Sequence, residues 1–293
     1  MSIEAKVIAK SVSVKGKVIT TFQLRYPRFI HAEFMTHRMF SRNASSSRAI
    51  PVAKIIEQIR NEPAMPIHWG ANQPGMQADA ELEGFLRNDC VQAWRDAAHQ
   101  AADIAEYMVE RGLHKQVANR ILEPFAHISV IVTATEWANF FELRDHPDAQ
   151  PEIRALAAAM LNADKDFGGP ERVLHSPGSD YLDARCWHLP YTTEAERYLL
   201  ADHADMLCAM SAARCARVSY LTHDGQEPDQ DKDLALFQRL VGSAPLHASP
   251  IEHQACGSNN PYRQSRNFRG VVQFRELYEL KLLSSFDFST ATT

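Results

Sequence analysis

The segment Thr36–Arg48 constrains this chain more than any other, because it concentrates side chains that bind anions. It reads T-H-R-M-F-S-R-N-A-S-S-S-R and contains neither Asp nor Glu, although the whole chain carries a formal net charge of −5. Arginine presents a planar fork of N–H donors that matches phosphate or carboxylate oxygens, and serine adds a short donor. The composition predicts a site for a phosphorylated ligand, and it fits a solvated polar loop equally well.

The overall composition limits the class of protein. With 293 residues, 45% of them hydrophobic and 23% charged, the chain suits one large domain or two small ones. The net negative charge argues against broad nucleic-acid binding. The five cysteines are scattered and indicate reduced thiols. The sequence has no signal-peptide pattern and no apolar run of the ~20 residues that span a membrane, so we expect a cytoplasmic protein without membrane or nucleic-acid partners.

Local patterns predict the elements of the first half of the chain. Residues 6–13 and 18–25 are β-rich and alternate around Gly16, which predicts a β-hairpin. Pro27 begins a predicted helix that reaches His37. The remaining predictions are a helix over 52–61, a loop over 62–78, a helix from an N-cap at Asp79 to Arg111, and a buried strand over 128–135.

The second half has weaker signals. Residues 164–192 contain several Gly and Pro and predict irregular structure. Thr193 and Glu196 form a capping-box pattern, which predicts a helix to about Ala213. The remaining predictions are an acidic loop over 221–230, a helix over 231–241 that stops at Gly242, a strand over 268–275, and a frayed tail over 281–293.

Three blocks of this sequence resemble the flavin-dependent thymidylate synthases. His37-Arg38, seven residues, and Ser46-x-Arg48 resemble the signature of that family, Arg-His-Arg followed by seven residues and Ser-x-Arg. Asn139 to Ile153 resembles its N-F-L-x-L-R…A-Q-x-E-I block. Ala216-Arg-Val-Ser-Tyr220 and His247-x-Ser-Pro-x-Glu-His253 resemble a third block, which in the family stands before the signature.

The displaced third block indicates a circular permutation, in which the front of the usual chain has moved to the back. Permutation is tolerated where the old termini lie close together and the new cut falls in an exposed connection. We therefore expect the predicted strand 268–275 to lie beside the N-terminal hairpin. The expected division of the single domain is a signature and substrate-binding part over 1–163, a joint over 164–215, the relocated block over 216–280, and a tail over 281–293.

The resemblance implies a fold and an activity. The fold would be α/β of the α+β kind, with an antiparallel-rich sheet flanked by long helices in permuted order. The family methylates C5 of dUMP, with methylenetetrahydrofolate as carbon donor, FAD as hydride carrier and NADPH as reductant, in a homotetramer whose subunits share sites. No cysteine nucleophile is required, which agrees with the absence of cysteine from all three blocks.

The resemblance also implies roles for particular residues. Ser46, Arg48 and the backbone of Ala44–Ser47 would hold the phosphate, Arg120 would add a second positive contact, and Arg144 would stabilise negative charge on the pyrimidine. Arg144 is accordingly the expected catalytic residue. The full expected substrate set is Glu33, Thr36, Ala44, Ser45, Ser46, Ser47, Arg48, Arg120 and Arg144. The expected cofactor set is Thr36, His37, Arg38, Thr133, Thr135, Asn139, His247 and Ser249.

Several positions depart from the family pattern. Thr36 replaces the first Arg of the signature, Ala44 an acid, and Thr135 a cation expected near FAD; Ala49 replaces a Tyr. Glu33 replaces a Gln and, with Thr36, lies where the pyrimidine is expected. The outcome could therefore be hydroxymethylation, or the base could be cytosine.

Other interpretations of the same residues stay open. Arg120 could be a surface arginine, and Arg144 could pair with Asp145, Asp148 or Glu152. His247 and His253 suggest a metal, but their spacing fits no usual ligand pattern, so we expect none. The protein could also be a non-catalytic relative that binds nucleotides or partners.

Overall fold

The structure is a computed structural model that describes residues 3–178, 180–220, 229–284 and 286. Most of the expected acidic loop, and the expected tail from 287 onward, lie outside the described residues. So do the side chains of Ser219 and Tyr220, which end the first half of the third block.

The described residues form strands and helices throughout. The strands are β1 (Glu4–Ser13), β2 (Val18–Pro27), β3 (Ser41–Ala44), β4 (His127–Ala134), β5 (Arg172–Leu174), β6 (Trp187–His188), β7 (Ala255–Gly257), β8 (Gln264–Ser265), β9 (Phe268–Arg269) and β10 (Val271–Gln273). The helices are α1 (His31–Phe34), α2 (Val52–Asn61), α3 (Gly84–Glu110), α4 (Lys115–Ala118), α5 (Ala138–Arg144), α6 (Pro151–Phe167), α7 (Glu194–Leu199), α8 (Ala204–Ala216), α9 (Gln230–Leu240) and α10 (Phe274–Glu279). Short 3₁₀ segments occur at Arg28–Ile30, Asn119–Phe125, Ala184–Cys186, Arg217–Tyr220 and Ser249–Glu252.

A five-stranded sheet in the order β3-β4-β2-β1-β5 carries the first half of the chain. The predicted hairpin is confirmed, since β1 and β2 pair antiparallel around Gly16, whose φ of +81° suits a residue without a Cβ. The predicted strand over 128–135 is confirmed as β4, which pairs antiparallel with both β2 and β3. Only β5, paired with β1, is parallel among these neighbours. The expected antiparallel-rich α/β class is therefore confirmed.

Helix α6 covers one face of this sheet. Its residues Ile153, Leu156 and Met160 are completely buried and pack in one cluster with Val7 and Phe22 of the hairpin. Burial of several aliphatic and aromatic side chains of this size is the main stabilising contribution to such a layer. This packing determines which face of the hairpin is buried. It also fixes the positions of β4 and β3, because they belong to the same sheet.

The second half of the chain has its own core. Trp187, Leu207, Phe237 and Phe274 belong to one buried cluster around a three-stranded sheet in the order β10-β7-β6. The two cores adjoin at Ile19 of β2, which packs with side chains of the second half: Leu174, Ala255, Phe268 and Val271.

Two predicted helices of the first half begin or end elsewhere. The helix expected to reach His37 ends at Phe34, where the Thr36 hydroxyl donates to the carbonyl oxygen of Glu33 at 2.7 Å. The long helix begins at Gly84 and not after Asp79. The chain before it is held instead by a bridge between residues 70 and 81 and by the N–H of Trp69, which donates to Glu81 at 3.0 Å.

The helix expected over 193–213 is two helices, α7 and α8. The capping box at Thr193 and Glu196 is confirmed. The helix breaks after Leu199 because backbone groups bond to a neighbouring segment: Ala201 accepts from Ala184, and Ala204 donates to Leu182. Such partners are not encoded in the local pattern.

The strand expected over 268–275 is interrupted at Gly270, where φ is +72°, and it continues into α10. Its second piece, β10, pairs with β7, so the segment is not a paired neighbour of the hairpin strands, although Phe268 and Val271 pack against Ile19 of β2. The segment nevertheless approaches the hairpin turn closely. A Cβ at position 270 would stand 2.7 Å from the Cβ of Lys17, which requires glycine there.

Candidate active site

Arg42 shapes the segment that carries the signature residues. Its Nη1 donates to the carbonyl oxygens of Met35 at 2.9 Å and His37 at 3.2 Å. These contacts turn the chain after α1 and lead it into β3. Arg42, an arginine of the anion-directed segment, therefore satisfies backbone carbonyls within the fold.

Arg144 meets the signature residues across the sequence. Its Nε donates to Nε2 of His37 at 3.0 Å, and its Nη1 forms an ion pair with the carboxylate of Glu33. The expected alternative partners, Asp145, Asp148 and Glu152, do not pair with it in the described part of the chain. The end of α5 and the turn after α1 thus form one polar cluster, Glu33–Arg144–His37.

His37 is uncharged in this cluster. Burial lowers the pKa of His37 to about 4, and the positive charges of Arg144 and Arg42 contribute in the same direction. Its ring also lies against Phe140, with ring centroids 4.9 Å apart. The imidazole accepts from Arg144 through Nε2, so its proton resides on Nδ1.

The loop after β3, residues 45–50, is held by hydrogen bonds to Ser129 of β4 and to Asn119. The Ser45 N–H donates to the carbonyl of Ser129 at 2.9 Å, and the Ser129 N–H donates to the Ser45 hydroxyl at 3.2 Å. The Nδ2 of the buried Asn119 donates to the carbonyl oxygens of Ser47 at 2.6 Å and Ile50 at 3.1 Å. These bonds fix the loop expected to bind the phosphate.

Glu123 lies beside that loop. Its Oε1 accepts from the hydroxyl of Ser47 at 2.7 Å and from Nη1 of Arg120 at 3.0 Å, and it forms an ion pair with Nη2 of Arg28 at 3.1 Å. The side chain of Arg120 is 54% exposed to solvent. Sequence reasoning did not identify Glu123 or Asn119, since no local signal marks either residue as a neighbour of Ser47.

Four of the expected ligand-binding side chains are exposed and make no hydrogen bond or ion pair with other described residues: Arg38, Arg48, Asn139 and His247. Ser46 is half-buried, and the backbone N–H of Ala49 donates to its carbonyl at 2.9 Å. Exposed cations and amides of this kind remain available to a ligand or to a second subunit.

The third block lies against the signature strand. The Ser249 hydroxyl donates to Oδ1 of Asn43 at 3.3 Å, while Nδ2 of Asn43 donates to the carbonyl of Cys215 at 2.8 Å. Residues 206 positions apart in sequence are thereby in contact. The fold therefore places Ser249 of the third block beside β3.

Two expected cofactor residues are interior. Thr133 is completely buried, and its hydroxyl bonds to Thr21 at 2.7 Å and to Nδ1 of His253 at 2.9 Å. The hydroxyl of Thr135, 7% exposed, accepts from the N–H of Arg269 at 2.9 Å. Contact of either side chain with FAD does not fit this burial, because both hydroxyls already have partners inside the protein.

Thr133 belongs to a buried chain of polar side chains. The Ser11 hydroxyl bonds to Nδ1 of His188 at 2.9 Å, whose Nε2 bonds to Thr21 at 2.9 Å, and the chain continues through Thr133 to His253. Burial lowers the pKa of His188 and of His253 to about 3. This chain joins the hairpin, β4 and the second half of the protein.

The remaining donors fit the demands of a dinucleotide cofactor in part. Arg38, Asn139 and His247 offer a cation, an amide and an imidazole at the surface, and Ser249 adds a hydroxyl beside β3. Such groups suit a pyrophosphate or a flavin edge. In the described ranges, no group of three or more His, Cys, Asp or Glu side chains is placed to hold a metal ion. Nor is any helix of those ranges long and apolar enough to cross a membrane.

Residues 6–166 match the family described as thymidylate synthase complementing protein. The chain belongs to this family of flavin-dependent thymidylate synthases. The matched range covers the hairpin, the signature and the Asn139–Ile153 block, and it ends before the third block. No curated protein is significantly similar to the chain.

Two solved structures are similar to 55% of this chain at low sequence identity. One is a crystal structure of a UMP/dUMP methylase from Streptomyces cacaoi bound with 5-Br UMP, with 19% identity and a TM-score of 0.44, covering 55% of this chain and 88% of that one. The same methylase bound with 5-Br dUMP gives 17% identity and a TM-score of 0.43, covering 55% and 89%.

Proposed function

We propose that this protein methylates C5 of dUMP to give dTMP, with methylenetetrahydrofolate as carbon donor. The observation that carries the proposal is the contact of Arg144 with His37, which joins the Asn139–Ile153 block to the signature. A guanidinium keeps its proton at neutral pH, so Arg144 suits the stabilisation of negative charge on the pyrimidine ring. Arg48 and Ser46 would hold the phosphate, with Arg120 nearby.

The proposal includes FAD and NADPH. Arg38, Asn139, His247 and Ser249 would hold the flavin nucleotide through its phosphates and ring edge. FAD, once reduced by NADPH, supplies the hydride that the one-carbon unit needs to become a methyl group. His37, which is neutral and held by Arg144, would orient the flavin ring without adding charge. Thr133 and Thr135 have no part in the proposed FAD site, because both side chains are buried.

A cytosine nucleotide is a second candidate substrate, and Glu33 favours it. A carboxylate accepts readily from the exocyclic N4 amine of cytosine. Glu33 already pairs with Arg144, so the two side chains together offer one acceptor and one set of donors to a pyrimidine edge. Hydroxymethylation, in which no hydride is delivered, is the alternative outcome at C5.

The deciding experiment is a product assay with dUMP and dCMP side by side. Purified protein is incubated with each nucleotide, methylenetetrahydrofolate, FAD and NADPH, and the product is identified by mass. A methyl gain on dUMP supports the leading proposal, and a hydroxymethyl gain or reaction of dCMP supports the alternatives. A colourless protein that does not acquire FAD and converts neither nucleotide would indicate a non-catalytic relative.

The quaternary structure and compartment belong to the proposal as well. We propose a homotetramer in the cytoplasm whose subunits share sites, which accounts for the exposure of Arg38, Asn139 and His247 in the single chain. Sedimentation of the purified protein measures the assembly. A monomer with full activity would contradict the shared-site arrangement.

A further inference from the structure

The carboxylate of Glu123 gathers donors from three separate segments. Oε1 of Glu123 accepts from Ser47 after β3 and from Arg120 three residues before it, and it forms an ion pair with Arg28 after β2. The two hydrogen bonds, of 2.7 and 3.0 Å, are charge-assisted because the acceptor is a carboxylate, and Nη2 of Arg28 lies 3.1 Å from the same oxygen. One oxygen that meets a hydroxyl and two guanidinium groups marks a compact anion site, which the protein fills with its own carboxylate.

Two of these donors are ones that the proposed phosphate site requires. Ser47 belongs to the Ser45–Arg48 loop, where the phosphate is proposed to bind, and Arg120 is the expected second positive contact with that phosphate. A phosphate group would take the same kind of hydrogen bonds from them. Two anions this close repel each other, so carboxylate and phosphate compete for the same donors.

The pocket around Glu123 contains further unsatisfied polar atoms. Glu123, Asn119 and His127 line one cavity beneath the loop, together with Arg28 and Ser47. Oδ1 of Asn119 and Nε2 of His127 are buried and have no hydrogen-bond partner within the described ranges. Asn119 itself is 1% exposed. The cavity beside Glu123 therefore offers one further acceptor, Oδ1 of Asn119, while Nδ2 of Asn119 holds the loop through the carbonyl oxygens of Ser47 and Ile50.

We propose that Glu123 is a specificity-determining residue that stands in for the nucleotide phosphate, and that a 5′-phosphate must displace its carboxylate from Ser47 and Arg120. This inference rests on the proposed function, since it assumes that the phosphate binds at the Ser45–Arg48 loop. The carboxylate weakens the binding of every anion at the loop and has no effect on a ligand without a phosphate. It also keeps Arg120 compensated when no ligand is bound.

The test compares Glu123→Gln with the unaltered protein, because glutamine keeps an oxygen that accepts from Ser47 and removes only the charge. Calorimetric titrations use dUMP, inorganic phosphate and deoxyuridine. We expect dUMP and inorganic phosphate to bind the variant roughly fivefold to tenfold more tightly. Deoxyuridine should bind both proteins equally, since it carries no phosphate.

Two further variants keep the test decisive. Glu81→Gln removes the same charge beside His68, away from the loop, and should leave all three affinities unchanged. Glu123→Asp retains the charge on a shorter side chain that cannot reach all three donors, and should tighten phosphate about twofold to threefold. Far-ultraviolet circular dichroism verifies that each variant is folded.

Unchanged or weaker binding of phosphate and dUMP by both position-123 variants would overturn the inference. Equal tightening of deoxyuridine would do the same, because the effect would then not involve the phosphate. The failure of the proposed function has a different signature. In that case inorganic phosphate binds Glu123→Gln more tightly while neither protein binds dUMP.

Discussion

Nε of Arg144 donates a hydrogen bond to Nε2 of His37 at 3.0 Å, although the two residues are 107 positions apart. Arginine is a donor only, so this contact requires an imidazole without a proton on Nε2. The low pKa of His37, about 4, meets that requirement across the physiological range. The pair therefore gives the site one fixed cation and one neutral ring.

Replacement of Arg144 by alanine should abolish turnover. The guanidinium is the group proposed to stabilise negative charge on the pyrimidine, and loss of one such donor typically reduces kcat by about 100-fold to 1000-fold. The measurement is dTMP formation at saturating dUMP, together with a thermal unfolding curve. Arg154→Ala, which removes an exposed arginine from α6, should leave activity unchanged. Retention of activity by Arg144→Ala would remove this residue from the mechanism.

Replacement of Glu33 by glutamine should change the choice between uracil and cytosine. The variant removes the charge that pairs with Arg144 and that would accept from the cytosine amine. We expect the ratio of kcat/KM for dCMP to that for dUMP to fall by about tenfold. Glu142→Gln, an exposed position on α5, is the matched control. An unaltered ratio would show that Glu33 does not read the base.

Replacement of Thr133 by valine should destabilise the fold. The change keeps the shape of the side chain and removes the hydroxyl that links Thr21 and His253. Leaving such buried groups without a partner costs about 1–3 kcal/mol. Chemical unfolding of Thr133→Val, Thr21→Val and the double variant measures the coupling. Purely additive losses would mean that the two hydroxyls do not act as one network.

Local signals predicted the elements whose partners lie nearby in sequence. The hairpin follows from alternation around Gly16, the helix over 52–61 from its apolar spacing, and the capping box at Thr193 from the residue three positions later. These features depend on φ preferences and on contacts within one turn, and both are written in the adjacent residues.

The parts that sequence did not predict depend on distant partners. The pairing of Arg144 with Glu33 was not foreseen, because several carboxylates were closer in sequence and none is distinguished by pattern. The contacts of Glu123 with Arg28 and Ser47 join residues that follow different strands, β2 and β3, and are far apart in sequence. The burial of Thr133 follows from its place on β4 in the middle of the sheet, where tertiary packing decides exposure.

Acid should destabilise the protein through its buried imidazoles. The pKa values of His188 and His253 are about 3 in the folded protein and near 6.5 when unfolded. Between these values the unfolded chain binds more protons, so the free energy of unfolding falls as the pH decreases from about 6.5 to about 3. Above pH 6.5 neither residue contributes a pH dependence.

The measurement for this prediction is the slope of the unfolding free energy against pH, compared with that of His253→Gln. Each imidazole contributes up to about 1.4 kcal/mol per pH unit within this interval. The variant should be less stable at pH 7. The slope of its unfolding free energy against pH should be smaller by the equivalent of up to one bound proton. An identical slope would mean that His253 is not excluded from protonation in the folded state.

Replacement of Arg214 by methionine should cost more stability than the loss of any surface ion pair. Nε of Arg214 donates to the carboxylate of Asp233 at 2.6 Å, and its terminal nitrogens donate to both oxygens of Glu196 at 2.8 and 2.6 Å. Asp233 is completely buried. Removal of one member of a buried charge network costs about 3–5 kcal/mol, because Glu196 loses both of its bonds to Arg214 and Asp233 keeps only its ion pair with Arg217.

Two comparisons distinguish this cause from a simple packing defect. The double variant Arg214→Met with Asp233→Asn removes the buried negative charge and keeps an amide oxygen beside Arg217, so it should recover part of the loss. Lys232→Met removes an exposed ion pair with Asp229 and should change the free energy of unfolding by less than about 1 kcal/mol. A loss for Arg214→Met no larger than that of Lys232→Met would mean that the network does not hold α8 and α9 together, and that the apolar contacts between these helices suffice.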